Sequence, residues 1–248
     1  MPGLVTPHGG GALRPLLLPE GERADAIERA KDLVSLPMSS REVSDLLMLG
    51  MGAYTPLTGF MGADSWRSVC TEMKLPDGLL WPIPITLSCS ASAAESLTAG
   101  QEIALVDAEG GSAMGVLTLG EVYAPDKALE CESVFGTADP SHPGVAKLMA
   151  QGEANLGGAV TVLGEGVYPE TYPALYRRPE QTRERFESLG WSKIAAFQTR
   201  NPMHRSHEYI AKVAVEMCDG VFIHQVLGAL KEGDVPAEVR TRAIDALV

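Results

Sequence analysis

The chain has 248 residues, more than one ordinary domain needs, and 45% of them are hydrophobic, enough to bury a substantial core. A formal net charge of −12 argues against the broad basic surface that long nucleic acids require, although a local cluster of donors can still receive a small anion. No window reaches the ~18 consecutive apolar residues of a membrane helix, and Gly or Pro breaks each short apolar run of "MPGLVTPHGGGALRPLLLPEG", so no secretory signal is expected.

In chain order, "SSREVSDLLMLG" opens the first clear element. Ser39 followed three residues later by Glu42 forms a capping box, and Val43, Leu46 and Leu47 then share one helical face. "LLWPIPITLSC" (79–89), "QEIALVDAEG" (101–110) and "SAMGVLTLGEVYAP" (112–125) read as strands, the last two joined through "DAEGGS" as a hairpin. "DPSHPGVAKLM" starts a short helix at Pro143. The methionines, including those of "LLMLGMGAY", suit core filling, and His8 and His142 sit in Gly/Pro-rich surroundings as structural or exposed residues. Residues 1–168 are thus expected to form a small β-rich barrel with peripheral helices.

The texture changes near Pro179, and residues 169–248 read as a second, α/β region. "PEQTRERFESLG" is an amphipathic helix ending at Gly190. "KIAAFQ" (193–198) is a short non-alternating apolar run, the pattern of a parallel strand covered on both faces. "HEYIAKVAVEMC" places Ile210, Val213, Ala214 and Met217 at helical spacing, and "GVFIHQVLG" (220–228) is a second apolar strand. Strand, helix and strand form a βαβ unit. "DVPAEVRTRAIDALV" reads as a helix begun near Asp234 and Pro236 with no stop signal, so the sequence is expected to end inside a domain, a terminal helix being the alternative. Cys70, Cys89, Cys131 and Cys218 lie far apart with no CxxC pair, which points to a reducing, cytoplasmic setting.

The most polar stretch is "FQTRNPMHRSHEYI", just past the first apolar strand. Ligands of open α/β sheets bind beyond the carboxyl ends of the strands, and Gln198 to His207 occupy that position. Asn201 is placed to cap the following helix, with Pro202 at its first position. His204 and His207, three apart, share a face of the opening turn. Free backbone N–H groups and the helix dipole favour an anion there, and Gln198, Arg200 and Asn201 add donors. The ligand expected on these grounds is phosphate-like.

"QTRNPMHRSH" resembles the QxRNPxHxxH signature of the ATP sulfurylase (sulfate adenylyltransferase) family, and its HxxH element is similar to that of the wider nucleotidylyltransferase superfamily. "YTPLTGFMG" (54–62) and "GLLWPIPITL" (78–87) resemble segments of the family's N-terminal domain. "RRPEQTRERFESLGW" resembles its approach to the catalytic strand, and "HQVLGALKEGD" (224–234) its HPLVGxxKxGD stretch, with Gln225 where Pro is common. The family's GRDHAG-type segment does not occur in the sequence, so the likeness covers the N-terminal domain and the first part of the catalytic domain. A complete site would then need residues beyond Val248.

The resemblance implies a PUA-like barrel followed by the start of a Rossmann-like parallel sheet. It implies that sulfate and ATP react to give adenosine 5′-phosphosulfate and pyrophosphate. Gln198 and Arg200 would hold sulfate, Gln198 to Asn201 would line the nucleotide site, and His204 and His207 would contact the phosphates. Mg²⁺ is expected on the nucleotide and not in a protein cage, and a homo-oligomer is expected, with neither nucleic acid nor membrane as partner. The competing readings are two solvated histidines, half of a zinc site with His224, an adenylyltransferase with another acceptor, and an RNA-binding module. Lys231 and Asp234 read as a turn at least as readily as a site.

Overall fold

The computed structural model describes residues 3–108, 111–227, 233 and 235–247. Two compact units divide the chain, one of Pro7–Thr171 and one of Tyr172–Val248 together with Met1–Thr6.

The first unit runs α1 (Glu20–Ala30), β1 (Val34–Met38), α2 (Ser40–Gly50), β2 (Gly59–Phe60), α3 (Ala63–Glu72), β3 (Ser88–Cys89) and α4 (Ala91–Glu95). It continues with β4 (Glu102–Asp107), β5 (Ala113–Tyr123), α5 (Lys127–Phe135), α6 (Pro143–Met149), β6 (Ala154–Val162) and α7 (Tyr168–Thr171). The strands form one mixed sheet in the order β1-β4-β5-β6-β2, with β3 also pairing β6. β1 runs parallel to β4 and the other ladders are antiparallel. Among the described residues no ladder returns from β2 or β3 to β1, so the hydrogen bonds describe an open sheet.

Period-two alternation sorts this sheet's side chains. Ile103 and Leu105 join Leu117, Leu119 and Leu156 in the main core beneath α2, whereas Ala104 between them packs with Ala26 and Ala30 of α1 on the other face. Pro37 sits in edge strand β1, where a missing N–H removes no ladder bond from the sheet interior. The capping box at Ser39 forms as expected, and Glu42 is buried within it. Its two carboxylate oxygens accept from the N–H and hydroxyl of both Ser39 and Ser88, which fastens α2 to β3.

The sequence expectation of a strand over 79–89 is met only at Ser88–Cys89 and by a single bridge at Leu80. Pro82 and Pro84 cannot donate to a ladder, so the rest of the segment is held by single bonds, the Ile85 and Leu87 carbonyls accepting the Met61 and Leu156 N–H groups. β6, the strand on which the sheet branches, went unread because Gly157 and Gly158 look like turn punctuation. They are required for close approach: a Cβ on Gly158 would lie 2.2 Å from the Thr118 carbonyl oxygen, and one on Gly59 2.0 Å from that of Gly158. The "DAEGGS" turn includes Glu109 and Gly110, which lie outside the described residues.

The second unit contains α8 (Pro179–Ser188), β7 (Ile194–Thr199), α9 (Arg205–Met217), β8 (Gly220–Gln225) and α10 (Ala237–Asp245). α8 ends as read, with Gly190 at φ 71° just past its last turn. β7 and β8 are parallel, in register from Ile194↔Gly220 to Thr199↔Gln225. Phe186 stacks on Trp191 and meets Phe222 edge-on, and a Cβ at Gly220 would strike the Trp191 ring at 2.1 Å. At the amino ends of the strands Asp219 accepts from the Ser192 N–H (2.7 Å), the Ser192 hydroxyl (3.0 Å) and the Lys193 N–H (2.8 Å). These bonds hold its carboxyl below the usual aspartate range, the Ser192 amide first.

Burial on both faces was expected for β7, yet Ala196 and Gln198 are exposed, and the apolar stripe of α9 is open, with Ile210 at 53% and Met217 at 68% exposure. Two strands and their helices supply too few layers to cover it among the described residues. The expected helix start at Asp234 falls on a residue outside the described set, as do Gly228 to Glu232 of "HQVLGALKEGD"; α10 itself begins after Pro236. No helix of the described residues is long and apolar enough to cross a membrane.

Candidate active site

The parallel ladder carries Gln198 to the carboxyl end of β7 opposite His224 of β8. The Gln198 amide nitrogen, Nε2, donates to His224 Nδ1 at 3.0 Å. An amide nitrogen has no lone pair to offer, so a neutral His224 must carry its proton on Nε2. Both residues are exposed, one position before the ends of their strands.

Thr199, the last residue of β7, is buried and turns the chain. Its hydroxyl donates to the Asn201 carbonyl at 3.0 Å and accepts the Asn201 N–H at 3.1 Å, while its own carbonyl accepts the Val226 N–H at 3.0 Å. The hydroxyl of Thr199 is thereby used within the turn. Arg200 follows, half-buried, then Asn201, exposed, and Met203 is buried beneath the loop.

The helix starts later than expected. Its N-cap is His204, with φ −134° and ψ 177°, so Asn201 and Pro202 lie in the connecting loop and not at the cap and first helical position. The physical reason is visible in two bonds: the Thr199 hydroxyl engages Asn201's backbone in a turn, and His207 Nδ1 accepts the His204 N–H at 3.4 Å. His207 thus plays the part that Glu or Gln plays at the third position of a capping box. Because Nδ1 is the acceptor, the neutral ring bears its proton on Nε2. The two imidazoles lie against each other, 3.9 Å apart between centroids and tilted by 32°, and the His207 ring also lies 5.5 Å, centroid to centroid, from Phe197 of β7. That contact ties the first turn of α9 to the strand carrying Gln198.

One residue that sequence analysis passed over organises the strand ends. Arg240 of α10 is buried, and its Nη1 donates to the carbonyls of Arg200 (2.8 Å) and Val226 (2.7 Å). In "AEVRTRAID" it is distinguishable from the exposed Arg242 only by sharing a face with Ile244, the other buried residue of α10.

Six predicted residues, Gln198, Thr199, Arg200, Asn201, His204 and His207, therefore fall on one strand end, one loop and one helix start. Gln198 meets His224, Thr199 meets Asn201, and His204 meets His207. Among the described residues no three His, Cys, Asp or Glu side chains converge so as to hold a metal ion. A cavity of about 300 Å³ lies in the other unit, lined by Gly59–Gly62, Glu121 and Gly157–Ala159 and by none of these six. Its carboxylate, Glu121, already accepts the Ala63 N–H at the start of α3.

Comparison with known proteins matches residues 5–165 to a PUA-like domain family and residues 173–248 to an ATP-sulfurylase family. The sulfate adenylyltransferase of Chlorobium chlorochromatii (strain CaD3) is 53% identical over 99% of this chain and 61% of its own length. That of Psychrobacter sp. (strain PRwf-1) is 55% identical over 99% of this chain and 59% of its own. The chain thus spans roughly three fifths of these curated relatives. A solved structure described as a hexameric APS kinase from Thiobacillus denitrificans superposes with TM-score 0.72 at 30% identity, covering 98% of this chain and 44% of that one.

Proposed function

The chain belongs to the ATP-sulfurylase family, and we propose that its strand-end site performs the family's reaction, joining sulfate to the α-phosphorus of ATP and releasing pyrophosphate, reversibly. The observation that carries this is the placement of Gln198, Arg200 and the adjoining His204–His207 pair around the end of β7 and the start of α9.

Sulfate is a dianion with no proton at neutral pH, so a pocket made of donors suits it. Gln198 and Arg200 hold it, the planar guanidinium matching two of its oxygens. The Thr199 hydroxyl fixes the turn that presents Asn201 to the nucleotide phosphates. As a sulfate oxygen attacks, charge grows on the phosphoryl oxygens and on the departing pyrophosphate. His204 and His207 stabilise that charge, His207 through the Nε2–H left outward by its capping bond. No covalent intermediate is needed. Mg²⁺ enters as part of the nucleotide substrate.

The finer fold assignments belong to the same proposal: a PUA-like domain over residues 1–168, its sheet open where a closed barrel was expected, and the start of a Rossmann-like HxxH sheet over 169–248. So do a cytoplasmic setting and assembly into homo-oligomers, the latter supported by the hexamer named in the description of the structural relative.

The test is pyrophosphate release from ATP with sulfate or molybdate as acceptor, measured on a protein of the relatives' full length, of which this chain spans about three fifths. Arg200→Ala removes two charge-assisted hydrogen bonds of about 1.5–3 kcal/mol each, so activity should fall by at least about a hundredfold. Activity that survives the change sinks the sulfate assignment.

A further inference from the structure

Arg240 is 3% exposed, and both of its hydrogen-bond partners among the described residues are backbone carbonyls. Its Nε is a buried donor with no partner among the described residues. A buried cation with an orphaned N–H is costly, and such costs persist where the surroundings have a use for them. The two carbonyls show the use. Arg200 follows the end of β7 and Val226 follows the end of β8, so a single Nη1 bridges the two loops that leave the sheet toward the site.

We propose that Arg240 is the positioning residue of the anion site. Its Nη1 clamps the backbone at Arg200 and Val226, so that Gln198, Arg200 and His224 keep their places when an oxyanion binds. The proposal rests on the sulfate adenylyltransferase assignment for the identity of the anion, but the clamp itself does not. Arg240 touches no substrate. It fixes where the Arg200 loop stands and keeps a positive charge beneath it. Rigid support of this kind matters because a displacement of about 1 Å at a reacting group can cost about a hundredfold.

Two variants separate charge from geometry. Arg240→Met keeps the packing volume and removes both, while Arg240→Lys keeps the charge but not the planar group that places Nη1 between the two carbonyls. Titration calorimetry of the full chain with adenosine 5′-phosphosulfate should show affinity falling about 10- to 100-fold in the Met variant, with partial rescue by Lys. Hydrogen exchange reads the clamp without any ligand. The Val226 amide, bonded to the Thr199 carbonyl, and the Asn201 amide, bonded to the Thr199 hydroxyl, should exchange faster while the middle of β7 and β8 is unchanged.

Wild-type binding by the Met variant, with Arg200→Ala losing binding, overturns the clamp and leaves the site assignment standing. Failure of Arg200→Ala to change binding sinks the site assignment, and the two amides then decide the clamp alone. Exchange that rises evenly along both strands, or not at all, overturns it. Should the Met variant fail to fold, the same measurements on the Lys variant decide the clamp in the same way.

Discussion

His207 does two jobs that one substitution can pull apart. Its Nδ1 caps the His204 N–H, and its Nε2–H is the donor assigned to the phosphates. His207→Glu restores an acceptor at the third helical position, where a capping box prefers Glu, and adds a negative charge where the helix dipole favours one. The capping bond it replaces is 3.4 Å long and correspondingly weak, so the exchange should leave stability unchanged or raise it by about 0.3–1 kcal/mol. Binding moves the other way. Two unit charges about 4 Å apart near a protein surface interact by about 4 kcal/mol, so a carboxylate beside a bound phosphosulfate should weaken it by about a thousandfold. His207→Ala forfeits only a donor, about 1.5–3 kcal/mol or roughly 10- to 150-fold, and loses the cap as well.

The expected order of affinity is therefore wild type, Ala, Glu, and the expected order of stability is Glu, wild type, Ala. Calorimetric titration with adenosine 5′-phosphosulfate and thermal melting followed by circular dichroism measure the two. A Glu variant that binds as tightly as Ala would refute an anion at this helix start, and one that melts below Ala would refute the cap.

Glu42→Gln places an amide N–H₂ against donors at one end of a side chain that is 2% exposed and accepts from five of them, Arg41 Nη2 at 3.5 Å included. The backbone N–H at that end loses its acceptor while the serine hydroxyl can turn to accept, which should cost about 1–3 kcal/mol and lower the denaturant midpoint of the Pro7–Thr171 unit; an unchanged midpoint contradicts the network. Asp219, held below its ordinary value of 3.8, contributes stability that is present above that pH and lost as pH falls through the lower folded value. Asp219→Asn should therefore melt lower than wild type at neutral pH but lose less on acidification below 3.8, and superimposable melting profiles across pH would remove the staple at the start of β7. Burial raises the carboxyls of Asp45 and Glu130, giving the opposite slope, but both groups are common to the two proteins and cancel in the comparison.

What the sequence made legible was local chemistry. The Ser39–Glu42 box, the Gly190 stop, the paired apolar strands and the helix between them all announce themselves through spacing, and each forms. What it concealed was set by distant backbone. β6 looks like a turn until Gly59 and Thr118 are seen pressing on Gly158, and 79–89 looks like a strand until its prolines are asked for ladder bonds. Asn201-Pro202 has the right residues for a helix start, yet an imidazole three residues past His204 competes for the cap and wins. Arg240 carries no local signature because its meaning lies 40 residues upstream, at the Arg200 carbonyl.

That long-range bond also bears on how so acidic a chain could receive a dianion. With 32 Asp and Glu against 20 Lys and Arg, the average field repels sulfate. Charges on the open surface are screened beyond about 8 Å at physiological ionic strength, so most of that repulsion does not reach a site at the strand ends. Arg240 is shielded from such screening because it is buried, and it bonds directly to the Arg200 backbone. In the proposed site a cation placed there, the Arg200 side chain and the N–H groups of the α9 start would act on a dianion at short range, where proximity and burial count for more than number. The acidic composition and the anion site are compatible for the same reason that the site is compact.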